Sequence, residues 1–232
     1  MLQLCQINKS YPKDTQPDQQ VLDDVSLLAI PGDFVGIWGP PGAGKTTLLS
    51  IIADLIPADS GKIEFENLTL SCRSSFRTRQ TVTLLNPSIN LSTHMTVRQY
   101  LLIACAPLKS TECHDIIQRR LHQLILECRL EHLLDKFLDQ LNPEQIQFTA
   151  LTHCLLSCPL VLLADEPTAG LLHDERLLRR LGEYAQCGGI VVIATETPQA
   201  LRYRTRLFSL RNGKLRSTNQ QTKFDSMQAL VS

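Results

Sequence analysis

The spacing of apolar positions divides the chain into a strand-like part, a helical part and a second strand-like part. Residues 2–8 alternate loosely between apolar and polar, which predicts a strand. Residues 12–20 carry two prolines and five Asp or Gln residues and predict a polar loop. Val21–Ile30 reads as a second strand, closed by the turn Pro31-Gly32-Asp33. Phe34–Trp38 is a short, unbroken apolar run of the kind a buried strand presents. A helix is predicted from Lys45 to near Pro57, with Asp59-Ser60-Gly61 as a turn. Two short strands follow, around 62–65 and 67–70, then a helical turn over Ser71–Gln80 and a strand at Thr81–Leu85.

From residue 87 to 158 the strand signal vanishes and helical periodicity takes over. Ile117, Leu121, Leu124 and Cys128 fall on one helical face, with Arg119, Arg120 and Gln123 opposite. Asn142-Pro143-Glu144-Gln145 predicts a helix start, with Asn as cap, Pro at the first position and Gln three residues past the cap. That helix runs to Cys158-Pro159. Leu160–Ala164 then reads as a buried parallel strand, 174–186 as a helix ended by Gly188-Gly189, and Ile190–Ala194 as a second buried strand. A hairpin over 205–210 and 213–217 turns at Asn212-Gly213. The pattern predicts one α/β domain with a core over about 1–86 and 159–217, a helical insertion over about 87–158, and a loose polar tail over 218–232.

The strand at 34–38 and the helix at 45 are joined by Gly39-Pro40-Pro41-Gly42-Ala43-Gly44-Lys45-Thr46-Thr47. Strand, glycine-rich turn and helix in that order make a phosphate-binding loop. The glycines let backbone N–H groups converge on anionic oxygens, and the new helix points its positive end at the same place. Lys45 would reach the β- and γ-phosphates of a nucleoside triphosphate, and the Thr46 hydroxyl would bind Mg²⁺. A chance Gly-Lys-Thr in a glycine-rich turn is the rival, and the full spacing and both flanks speak against it. Asp165-Glu166 closes the strand at 160–164. Asp165 can hold Mg²⁺ beside Thr46, and Glu166 can orient or deprotonate an attacking water. An Asp-Glu pair that merely caps the next helix is the alternative there.

Charge and cysteine content narrow the setting. Lys+Arg and Asp+Glu both number 23, for a net charge of zero, which argues against a nucleic-acid partner. No run approaches the roughly eighteen apolar residues of a membrane helix, and Met1–Cys5 does not open a signal peptide. A cytoplasmic protein is expected, with any membrane role exerted through a partner. The eight cysteines contain no C-x-x-C pair and suit reduced, mostly buried thiols. His153, Cys154 and Cys158 could share a helical face and are the one metal candidate among them. The basic residues Arg202, Arg204, Arg206, Arg211, Lys214 and Arg216 suit a solvated surface, with anionic lipid or an acidic partner as the alternative.

Tyr11, the loop Gly39–Thr47, the strand end Leu163-Ala164-Asp165-Glu166-Pro167-Thr168 and the helical block between them resemble the nucleotide-binding subunit of ABC transporters. The resemblance spans about residues 1–216. It implies the ABC ATPase fold: α/β, with a P-loop NTPase core of mixed sheet and flanking helices, an antiparallel β subdomain and a helical insertion. It also implies ATP and Mg²⁺ as cofactors, with a membrane permease and a second ABC subunit as partners. Tyr11 would stack on adenine, and two subunits would sandwich ATP between one phosphate loop and the other's signature helix. The Ala-Asp-Glu-Pro-Thr wording is similar to the branch serving lipoprotein release, macrolide-type export and bacterial cell division.

Four features depart from the family pattern, the signature and three single residues. The signature Leu-Ser-Gly-Gly-Gln is here Leu141-Asn142-Pro143-Glu144-Gln145. Pro143 removes a backbone donor and Glu144 brings a carboxylate where a phosphate should dock. One such like-charge pair costs roughly 3 kcal/mol at about 5 Å and an effective dielectric of about 20. Asn142 and Glu144 are expected to cap the helix end in place of a phosphate. The switch histidine is Glu196, the metal-linking glutamine is Asn86, and the aspartate after Gly170-Leu171 is Leu172. These changes predict retained MgATP binding with impaired turnover, and the resemblance implies a subunit peripheral on the inner face of the cell membrane that docks its permease through residues 86–106. The changes also favour a heterodimer over a homodimer. The rivals are a competent ABC ATPase, a regulatory or scaffold ABC protein outside transport, and a P-loop kinase or nucleic-acid motor.

Overall fold

The computed structural model describes residues 1–13, 16–65, 68–70, 81–85, 94–106, 113–169 and 174–218. Its centre is a six-stranded sheet in the order β10-β9-β3-β8-β7-β6. The strands are β3 (Phe34–Trp38), β6 (Val82–Leu85), β7 (Val161–Asp165), β8 (Ile190–Thr195), β9 (Arg206–Arg211) and β10 (Lys214–Ser217). β10 folds back antiparallel on β9 and every other pair is parallel, which makes the sheet mixed. The β9–β10 turn is the expected Asn212-Gly213, both at positive φ (49° and 74°) as a tight hairpin of that hand requires.

Side chains on alternate residues of β7 and β8 enter two different cores. Val161, Leu163, Ile190, Val192 and Ala194 face one, while Leu162, Ala164, Val191 and Ile193 face the other. A strand buried on both faces has no polar side, and that is the origin of the unbroken apolar runs. One face is covered by α1 (Lys45–Ile52) and by an antiparallel sheet of β2 (Gln16–Ala29), β1 (Leu2–Lys13), β4 (Ser60–Phe65) and β5 (Leu68–Leu70). The other face is covered by α2 (Val97–Cys105), α3 (His114–Cys128), α4 (Pro143–Leu156) and α5 (Asp174–Gln186). On α3, Ile117 and Cys128 are buried and Leu121 and Leu124 are partly buried, as the stripe predicts, and Ile125 joins them.

Three expectations need correction. The polar loop over 12–20 is instead the end of a long hairpin, with Ser10 opposite Gln20, Tyr11 opposite Gln19 and Lys13 opposite Gln16. Ladder hydrogen bonds come from the backbone, so pairing continues past the point where apolar alternation ends. α1 stops at Ile52 rather than near Pro57. Asp54 takes φ 56°, Leu55 N–H donates to the Ser50 carbonyl and Asp54 N–H to that of Ile51, and this left-handed cap ends the helix without a proline. Among the described residues the cysteines are not mostly buried: Cys105, Cys128 and Cys154 are, Cys5 is half-buried, and Cys113, Cys158 and Cys187 are exposed.

No metal-binding group of three or more His, Cys, Asp or Glu exists among the described residues. Cys158 lies past the end of α4 at φ 46°, and the His153 ring stacks on Tyr100 at 4.3 Å between centroids. Burial lowers the His153 pKa to about 4. His153 is therefore neutral in the fold and protonated in the unfolded chain below about pH 6.5. Stability present above that pH is lost toward pH 4, at about 1.4 kcal/mol per pH unit. In urea denaturation at pH 7 and pH 4.5, His153→Phe should keep the stacking and lose roughly 2–3 kcal/mol less than the native chain. Equal losses in the two proteins would mean that the imidazole is not held neutral.

Candidate functional site

The loop after β3 is shaped by what surrounds it. A Cβ on Gly39 would lie 2.4 Å from the Leu210 carbonyl oxygen, so the chain can leave the sheet there only as glycine. Gly44 has φ 95°, and a Cβ there would lie 2.9 Å from the Val21 carbonyl oxygen. Gly44 is also the N-cap of α1 and gives that helix no side-chain cap, nor is there an acidic residue in its first turn. The first amides of α1 are thus left for an external acceptor.

Lys45 is buried at 6% exposure. Its Nζ donates to the carbonyls of Gly39 (2.8 Å) and Pro40 (3.0 Å) and to Glu196 Oε1 (3.1 Å). Glu166 Oε1 lies 3.7 Å away. These groups arrive from the ends of three adjacent parallel strands, β3, β7 and β8. Glu166 sits just past β7 at φ 43°, its N–H donating to the Ala194 carbonyl, and its Oε2 accepts from Thr195 Oγ1 at 2.9 Å. Burial raises the Glu166 pKa, against the hydrogen bond from Thr195 and the charge of Lys45, which lower it. Among the described residues, Asp165 Oδ1 and Glu166 Oε1 are buried with no hydrogen-bond partner. The Glu196 carbonyl accepts from Trp38 Nε1 at 3.1 Å, and the Arg211 guanidinium lies 4.7 Å over the Trp38 ring.

A cleft of about 550 Å³ is lined by Gly42, Ala43, Gly44, Lys45, Thr46 and Thr47 from the loop and by Asp165, Glu166 and Glu196 across from it. Val21 and Ala169 complete the wall. Pro40 and Pro41 line an adjoining cleft of about 480 Å³ together with Gln19, Gln20 and Asn212. Gly39 is buried beneath the loop. Tyr11 stands on β1, 40% exposed, with the Lys9 ammonium 5.6 Å from its ring centre, and lines neither cleft. Asn86 and Leu172 lie outside the described residues.

At the start of α4 the expected cap is present with one change of partner. The Gln145 N–H donates to Asn142 Oδ1 (2.9 Å), and Gln145 Oε1 accepts from the Asn142 N–H (3.0 Å). Glu144 takes no part in that capping box. It faces Arg176 of α5 at 3.9 Å, and the Arg176 guanidinium lies 4.7 Å over the Phe148 ring. Gln147, in the same helix, donates to the Pro167 carbonyl beside Asp165-Glu166. The basic residues near the C-terminus are largely engaged within the chain: Arg206 with Asp33, Lys214 with Asp23 and Arg202 with Glu175. Thr195, Trp38, Arg176 and Val21 carry no motif and escape a reading by sequence alone. Only the adjacency of Thr195 to Glu196 could have drawn notice.

The family model of the ABC transporter matches residues 22–169. The ABC transporter ATP-binding protein YxdL of Bacillus subtilis (strain 168) is 28% identical over the whole chain and 93% of its own length. The sulfate/thiosulfate import ATP-binding protein CysA 1 of Shewanella oneidensis is 33% identical over 86% of the chain, which spans about half (54%) of that relative. Among solved structures, the dimeric bacterial ABC transporter cassette MJ0796 superposes with a TM-score of 0.84 at 24% identity, covering 96% of this chain and 100% of that one. Its post-hydrolysis form, bound to ADP and Pi, superposes at 0.83, again at 24% identity and with 96% and 100% covered. At that identity the likeness is one of fold.

Proposed function

Because the chain belongs to the ABC transporter family, we propose that it is the ATP-binding subunit of a membrane transport complex that binds MgATP at residues 39–47 and turns it over weakly by itself. The observation that carries this is the cleft in which the uncapped start of α1 faces Asp165 and Glu166 while Glu196 engages Lys45. The donor set fits a hard cation: the buried, unpartnered Asp165 Oδ1 and the Thr46 hydroxyl line one cleft. Asp165 and Thr46 would hold Mg²⁺, which when bound neutralises phosphate charge, and Asn86 would join them by family resemblance. Tyr11 is assigned to the adenine on the same ground, and the β1–β2 hairpin that carries it would have to meet the base.

Impaired turnover follows from the chemistry at 196 and 144. Glu196 is an anion where the family has a histidine, and Asn142-Pro143-Glu144 stands where it has Ser-Gly-Gly. The domain division is part of the proposal, with α2–α4 as the helical insertion and residues 218–232 as a tail. The exposed Leu102 and Ile103 on α2 support docking of a permease at residues 86–106. No helix among the described residues is long and apolar enough to cross a membrane, so we assign the chain to the cytoplasmic face, held by that permease. The strand-end wording favours the lipoprotein-release and export branch. Relatives are named for import as well, and no residue of the site marks a cargo.

Calorimetric titration of the purified chain with MgATP tests the proposal, with saturable one-to-one binding expected and its absence overturning it. Glu166→Gln should change steady-state phosphate release less than threefold, since hydrolysis is already limited at Glu196 and at the α4 start. A hundredfold fall from a robust native rate would show instead the competent ATPase.

A further inference from the structure

Lys45 Nζ has two carboxylates within 4 Å, Glu196 Oε1 at 3.1 Å and Glu166 Oε1 at 3.7 Å. In a phosphate loop this ammonium serves the β- and γ-phosphates. Here three oxygens of the chain already stand on it, the carbonyls of Gly39 and Pro40 and the side-chain Oε1 of Glu196. The backbone that carries Glu196 is held from behind: its carbonyl accepts from Trp38, Trp38 is stacked by Arg211, and the next amide, Thr197 N–H, closes on Thr195 Oγ1 at 3.0 Å. Glu166 is fixed by Thr195 through its other oxygen.

We infer that Glu196 fills the γ-phosphate position on Lys45 and makes this a site that prefers a nucleoside diphosphate to a triphosphate. The inference rests on the nucleotide-loop reading of residues 39–47 and deepens it. A diphosphate can use the uncapped amides at the start of α1, which are the part of the loop with no occupant from the chain, and it leaves the Lys45–Glu196 pair closed. A triphosphate must either displace Glu196 from a buried ammonium or set its terminal oxygens against two carboxylates in a partly desolvated cleft. Both routes cost affinity for ATP and spare ADP. The consequence for a transport complex is a subunit that retains ADP and yields to ATP only when a partner draws Glu196 away.

The test is calorimetric titration of the full chain with ADP and with ATP at the same Mg²⁺ concentration, then of Glu196→Gln. The native chain should bind ADP at least tenfold more tightly than ATP. In Glu196→Gln, ATP affinity should rise at least tenfold while ADP affinity moves less than threefold. Equal or tighter ATP binding by the native chain overturns the inference and leaves the nucleotide-loop reading standing, a result that needs no variant. An ADP preference that persists unchanged in Glu196→Gln overturns it too, because Glu196 is then not the cause. Failure of both nucleotides to bind native and variant chains overturns the nucleotide-loop reading, and this inference with it.

Discussion

Lys45→Ala is expected to weaken nucleotide binding by about a hundredfold or more in direct titration, without unfolding the chain. A charge-assisted contact to phosphate contributes about 1.5–3 kcal/mol, which already corresponds to roughly ten- to a hundredfold. Two further losses add to it here. Lys45 is tied to the carbonyls of Gly39 and Pro40, so its removal frees the entrance of the loop whose shape the nucleotide requires. It also leaves Glu166 and Glu196 with no cation between them and the incoming phosphates. Each uncompensated carboxylate near a phosphate costs about 3 kcal/mol at 5 Å and an effective dielectric of about 20. Circular dichroism should be unchanged, because the surrounding strands are held by the two apolar cores. Unchanged ATP affinity in this variant would overturn the assignment of residues 39–47.

The second large effect concerns pairing. In a homodimer each ATP would face Glu196 of its own chain and Glu144 of the other, a penalty of several kcal/mol on the same estimate. The start of α4 is moreover already satisfied within the chain. Asn142 and Gln145 exchange both hydrogen bonds of a capping box, and Pro143 has no N–H to offer. Glu144 faces Arg176 at 3.9 Å, a contact of two partly exposed groups that contributes little stability. The native chain mixed with ATP should therefore remain a monomer by light scattering. Replacing Asn142, Pro143 and Glu144 by Ser, Gly and Gly, together with Glu196→His, should create an ATP-dependent dimer at the same protein concentration. A tight ATP-dependent dimer of the native chain would show that these charges do not govern pairing. A partner with an intact Ser-Gly-Gly signature would remove one charge from the site built on Lys45, which is why a heterodimer is the arrangement proposed.

The contrast between the two helix starts shows why some of the site was legible in the sequence. Gly39–Thr47 is contiguous, and its chemistry depends on residue types at fixed short spacings, so strand, loop and helix are readable together. The same holds for the Asn142 capping box, whose partners are three residues apart. Glu144 was misjudged because an acidic residue in a first turn looks like a cap, and its actual partner, Arg176, belongs to another helix. The end of α1 was misplaced for a related reason: Pro57 is a visible breaker, while the left-handed turn at Asp54 is a backbone solution with no strong composition mark.

By itself, the sequence determined the strand-loop-helix that can cradle phosphates, the strand end bearing Asp165-Glu166, the helical character predicted over 87–158 so far as it falls on the described residues 94–106 and 113–158, and the burial of β3, β7 and β8. Each follows from local periodicity or from residues close in the chain. Only the tertiary structure decided that Glu196 sits on Lys45, a contact across 151 residues, that Thr195 holds the Glu166 carboxylate and that Trp38 holds the Glu196 backbone carbonyl. It also decided that the hairpin bearing Tyr11 runs on to Lys13 and Gln16. The physical reason is the parallel sheet, which brings the ends of β3, β7 and β8 together at spacings set by strand pairing rather than by distance along the chain.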